Sequence, residues 1–231
     1  MKTSVNGRWS VRKACAIVAG IALAGGGLAI SGGTAAFADG TSACQPAGDS
    51  GFTAAVVAQN GQTISNQTVN ATGCDVGIYV GTGITNVTIT RVSVEGANAA
   101  GILAQKTSRL TVSRSTVDGN GFATKIPESN TNPEAGSLPQ AFGISLFGVS
   151  HATLTRNTVY NNGRGGIGVM DNGAFDPGQV VGGTGAVSDQ NFPVSDVTVS
   201  RNALWSNYAG CAIVVSAFNI GNTVSDVDVT R

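Results

Sequence analysis

Thr85-Asn86-Val87-Thr88-Ile89-Thr90-Arg91 is followed 23 residues later by Ser108-Arg109-Leu110-Thr111-Val112-Ser113-Arg114. The same pattern returns as Ser150-His151-Ala152-Thr153-Leu154-Thr155-Arg156, as Ser195-Asp196-Val197-Thr198-Val199-Ser200-Arg201 and as Ser225-Asp226-Val227-Asp228-Val229-Thr230-Arg231. Apolar and polar residues alternate in every copy, the signature of a strand with one buried and one wet face. Three residues beyond the Arg stands another apolar residue: Val94, Val117, Val159 or Leu204. An Asn follows six beyond the Arg at Asn120, Asn162 and Asn207, and seven beyond it at Asn98. A third short apolar run then opens on a small residue, at Gly77, Gly101, Gly143, Gly166 and Ala212.

The Arg-to-Arg steps are 23, 42, 45 and 30 residues, each longer one being a rung plus an insertion. The insertions fall at 122–140, 173–194 and 216–224, where Gly, Pro, Asn and Ser accumulate. Three short strands per rung of about 23 residues, with nothing helical between, describe an all-β chain coiled into a parallel β-solenoid. The coil is expected over residues 63–231, after a degenerate rung in which Asn66 takes the Arg place; residues 39–62 are expected to cap it.

Composition agrees. Of 231 residues, 42% are hydrophobic, only 11% are charged and 33 are glycine. Such a chain is too poor in charge for a helical bundle and too apolar for disorder. With 13 bases against 13 acids it lacks the basic excess of a nucleic-acid binder. Lys2, Arg8, Arg12 and Lys13 precede an apolar stretch and an Ala36-Phe37-Ala38 site, the layout of a bacterial secretory signal peptide over residues 1–38. Cleavage after Ala38 predicts a secreted chain with no membrane attachment and a net charge of −4, since nine bases and all 13 acids remain. In an oxidising compartment Cys44 and Cys74 are placed to pair. Cys211 lies in an apolar run and reads as a buried thiol.

The G-I-x-V, V-T-I-x-R and V-x-x-N elements, from about Ile64 to Arg231, resemble the repeats of the right-handed parallel β-helix, or pectin-lyase-like, superfamily. The resemblance implies a right-handed coil. It does not choose an activity, because the superfamily holds lyases, glycosidases, epimerases, phage tailspikes and copper-binding maturation proteins. The Asn-Thr-Asp, Asp-Asp, Gly-His-Gly and Arg-Ile-Lys strings of polygalacturonases are missing, and no calcium cluster of the pectate lyase kind can be placed. Copper finds few ligands, since Met170 and His151 are the only Met and His after the leader.

Recurrence of Arg at one phase marks a turn ladder rather than a catalytic arginine. His151 falls at a variable turn position and has no identifiable partner for base catalysis. Residues following the +3 apolar position face outward and give a file of Asn70, Glu95, Asp118, Tyr160 and Trp205. Glu95 and Asp118, about 5 Å apart on adjacent rungs, would match the acid pair of a retaining glycosidase. Tyr160 and Trp205 would offer aromatic surface to sugar. Asp171, Asp176 and Asp189 share a Gly-rich loop that suits calcium in part, though Asx turns explain the same residues.

Three function classes stay open: a secreted β-helix protein, monomeric, that binds extracellular polysaccharide; a polysaccharide lyase or glycoside hydrolase using Glu95 and Asp118; and a surface scaffold whose loops contact proteins. Arg231 closes a strand with no capping segment after it, so the chain is expected to be a fragment, incomplete at its C-terminal end.

Overall fold

The computed structural model describes residues 43–48, 52–122, 142–163, 165–171, 193–208, 211–217 and 223–231. The signal segment, Asp176, Asp189 and nearly all of the three insertions lie outside the described residues. In chain order the strands are β1 (Gln45–Pro46), β2 (Thr53–Val57), β3 (Thr63–Asn70), β4 (Val76–Val80), β5 (Thr88–Glu95), β6 (Ala100–Gln105), β7 (Thr111–Ser113) and β8 (Thr116–Asp118). They continue as β9 (Phe142–Phe147), β10 (Ser150–Thr155), β11 (Thr158–Tyr160), β12 (Gly165–Met170), β13 (Ser195–Ser200), β14 (Ala203–Trp205), β15 (Ile213–Ser216) and β16 (Val227–Thr230).

A seven-stranded sheet runs β1-β2-β4-β6-β9-β12-β15, and a nine-stranded one holds the remaining strands. Every pairing is parallel except β1 with β2. In the nine-stranded sheet β5 pairs with both β7 and β8. The two strand segments of a rung are therefore fused in β3 and β5 and separate from β7 onward. The chain is a right-handed parallel β-helix. Parallel pairing already includes β2, so the coil takes in residues assigned above to the cap. β1 lies antiparallel across its edge, and Cys44 is disulfide-bonded to Cys74.

Side chains of like kind form files. Ile89, Val112, Leu154 and Val199 are in register and buried. So are Ile78, Ile102, Ile144 and Ile167 on the seven-stranded sheet. Val94, Val117 and Val159 make a third inner file. Each buried Val, Leu or Ile contributes about 1.5–3 kcal/mol, realised only when a neighbouring rung covers it.

The seven-stranded sheet is apolar on both faces. Tyr79, Leu103, Phe142, Phe147 and Met170 form a second cluster on its far side with Ala47 and Phe52. The alternation read from the sequence does not show this, because the outward residue of G-I-x-V varies from Tyr79 to Gly168.

Two amide ladders close the turns. Asn162 Nδ2 donates to Val117 O (3.1 Å), Tyr160 O (2.9 Å) and Asn207 Oδ1 (3.0 Å). Its Oδ1 accepts from Asn120 Nδ2 at 3.1 Å and Asn120 N at 3.2 Å. Asn98 lies one residue off this ladder, whose place on that rung is Ala97, with its N–H donating to Asn120 Oδ1 at 3.0 Å. A second ladder, not anticipated from sequence, joins Ser115, Asn157 and Asn202 at the position after the Arg. The Arg position is itself left-handed: φ is 53° at Arg91, 52° at Arg114, 58° at Arg156 and 56° at Arg201, and Asn66 takes the same turn at 53°. That conformation costs a side chain with a Cβ about 1–2 kcal/mol, and Asn or Gly bears it best.

Candidate functional site

Val94, Val117 and Val159 point into the coil, so the residue after each points out. Register then stacks Asn70, Glu95, Asp118, Tyr160 and Trp205 in one line, each paired with the next across adjacent strands. Neighbouring strands lie about 4.8 Å apart, which sets the spacing of the Glu95 and Asp118 backbones. Glu95 is exposed, Asp118 and Tyr160 are half-buried, and Trp205 is 43% exposed.

The two rings are stacked on each other, with centroids 4.8 Å apart and planes 7° from parallel. The faces turned toward each other are thus occupied, which leaves ring edges and the far side of Trp205 for a ligand. Burial holds the Tyr160 phenol above its ordinary range; the charge of Asp118, a hydrogen bond to that carboxylate and the charge of Glu95 act in the same direction. The phenol therefore stays a donor to Asp118 through neutral and mildly alkaline pH.

A titration follows from this. The neutral phenol is favoured in the folded chain, so its stabilising contribution is complete below the ordinary tyrosine range and is lost as pH climbs through the raised value. In a Tyr79→Phe, Tyr208→Phe background Tyr160 is the remaining tyrosine of three. Asp118→Asn is expected to lower the pH at which its phenolate absorbance appears; an unmoved titration would mean that the carboxylate does not hold the proton.

Away from this file, a concavity of about 570 Å³ opens where the turns from the seven-stranded sheet enter the nine-stranded one. Thr85, Lys106, Ser108, Ser150, His151 and Ser195 are among its lining residues. His151 Nδ1 lies 3.3 Å from Asp196 Oδ2 with both side chains largely exposed. Its φ of 53° places it in a second left-handed turn file with Asn86, Arg109, Asp196 and Asp226. His151 is far from the file of Glu95 in sequence phase and belongs to a turn.

Asp171 is fully buried at the end of β12. Among the described residues no group of three or more His, Cys, Asp or Glu side chains gathers to hold a metal ion. Asp176, the other half of the candidate calcium pair, lies outside the described residues.

A family described as a right handed beta helix region matches residues 48–229. No curated protein matches the chain.

Proposed function

The chain belongs to the right handed beta helix family, and from that premise we propose that it is a secreted, monomeric protein that associates with extracellular polysaccharide through the file from Glu95 to Trp205. The observation that supports this reading is the partly exposed Tyr160–Trp205 stack, in register with two carboxylates on a rigid sheet. An indole face meets the C–H face of a sugar while neighbouring carboxylates accept its hydroxyls. The leader-like first 38 residues favour delivery outside the cell.

The second reading is a lyase or glycoside hydrolase. It draws on the placement of Glu95 and Asp118 side by side on adjacent strands, whose backbone spacing of about 4.8 Å allows the carboxyl separation of a retaining acid pair. Trp205→Ala is expected to weaken binding to a panel of immobilised neutral polysaccharides about tenfold, equivalent to about 1.4 kcal/mol. Thermal stability should change little, because Trp205 stands at the edge of the described coil. Undiminished binding would remove the file as the site. Reducing-end and unsaturated-uronate assays on the same sugars distinguish the second reading: turnover abolished by Glu95→Gln and Asp118→Asn would make the chain an enzyme.

A further inference from the structure

Four arginines, Arg91, Arg114, Arg156 and Arg201, occupy one turn position on consecutive rungs, and all four side chains are exposed. Flanking pairs fix the register: Thr90 with Ser113, Ser113 with Thr155, and Thr155 with Ser200. Backbone N–H groups of Arg114, Arg156 and Arg201 each donate to the next rung at 3.2 Å, so the origins of these side chains are held in line. The four arginine backbones are thereby strung along the coil with a repeat of about 4.8 Å, and their exposed side chains leave from one line.

The turn does not call for arginine. Its left-handed φ is better met by Asn, and Asn66 fills the equivalent place on the first rung. Among the described residues no ion pair is found at any of these four arginines; the pair of His151 with Asp196 lies in a different turn file. Like charges repel at this spacing, and a partner carrying anions at the same repeat would relieve all four at once.

We propose that this file is a binding site for a linear anionic polysaccharide lying along the coil axis, its acidic groups meeting the row of exposed guanidiniums. Guanidinium groups bind carboxylates through two parallel hydrogen bonds. Hydroxyl columns border the file: Thr90, Ser113, Thr155 and Ser200 stand one residue before each arginine, and Ser93, Thr116 and Thr158 two after it. Ser113 Oγ donates to Thr90 Oγ1 at 3.0 Å, and Ser200 Oγ to Thr155 Oγ1 at 3.3 Å. Those hydroxyls suit a sugar's own. No aromatic ring lies in the file for a nucleobase to stack on, which disfavours single-stranded nucleic acid. The site shares with the reading above only the class of ligand; its residues are separate.

Alginate, dextran of similar length and a single-stranded oligonucleotide are the probes, titrated against the full chain at two salt concentrations. Alginate is expected to bind in a salt-sensitive way, dextran at this file not at all. Each Arg→Asn substitution, which keeps a residue at ease in the turn, should weaken alginate about threefold, and the four together about eightyfold. Arg→Lys should fall between, because charge remains and the paired hydrogen bonds do not. Parent-like alginate binding by the fourfold Asn variant, in a chain that melts normally, overturns the proposal. So does an oligonucleotide that binds as tightly as alginate, since the file would then be an unspecific polyanion stripe. Trp205→Ala should leave alginate binding unchanged, and the fourfold variant should leave neutral sugar binding unchanged; either site can thus fail without the other.

Discussion

Asn162→Ala is expected to destabilise the folded chain by about 4 kcal/mol, read as a lowered denaturant midpoint with an unchanged slope. The side chain is fully buried and serves three rungs at once. Removing it takes the Nδ2 donor from Val117 O and Tyr160 O and the side-chain acceptor from Asn120 N, while Asn207 Oδ1 keeps the Asn162 N–H and Asn120 Nδ2 keeps Val94 O and Asp118 O. Each buried polar group left unpaired costs about 1–3 kcal/mol. A water entering the space of the lost amide recovers part of this, which sets the expectation below the simple sum. Asn207→Ala serves as the internal comparison: that amide is half-buried at the described end of the same ladder, and its loss should cost about 1 kcal/mol. Equal effects at the two positions would mean that the ladder is not a buried network. Because rungs support only their neighbours, a break at Asn162 should also loosen the coupling between the two halves of the coil.

The next largest effect is expected from a single added methyl. A Cβ on Gly101 would stand 2.4 Å from Val117 Cγ1, 2.8 Å from Asn120 Nδ2 and 2.8 Å from the Gly143 carbonyl. Two of those neighbours are parts of the core and the amide ladder, and the third is backbone, so none has room to yield. Gly101→Ala should cost about 3 kcal/mol, the upper end of the range for an overfilled core. Gly77, Gly143 and Gly166 are in the same file and meet comparable neighbours. Ala212 continues the file beside β15, the last described strand of the seven-stranded sheet. The small residue is therefore required by the approach of the next coil and not by backbone torsion, since none of these four glycines has a positive φ. A Gly101→Ala chain with parent-like stability would show that the coils can separate by several tenths of an ångström without loss.

The sequence pattern carried the coil because its period survives the insertions. Val87, Leu110, Ala152, Val197 and Val227 repeat at one phase whatever loop intervenes, and they line the interior together. The outward file from Asn70 to Trp205 followed from the same alternation, and register alone sufficed to place it. Contacts between side chains did not follow. That Tyr160 and Trp205 cover one another, which limits their use as a platform, depends on rotamers that spacing does not fix. The second amide ladder was hidden because Val92 and Ser115 occupy its first two places, leaving an Arg-Asn pair on only two rungs. The far face of the seven-stranded sheet was hidden for a different reason. Its cluster mixes strand residues with Ala47 and Phe52 from before the coil, and no single period links them.

β1 is short and ends on a proline, and the covalent link from Cys44 to Cys74 holds its segment to the turn after β3. An imide nitrogen has nothing to donate, and a two-residue ribbon running the wrong way offers a poor template. Stray chains seeking to add themselves to the seven-stranded sheet meet a blunted rim there. The sulfur bridge keeps that blunting segment in place, so oxidation helps to guard the starting end of a molecule whose described part is almost wholly strand.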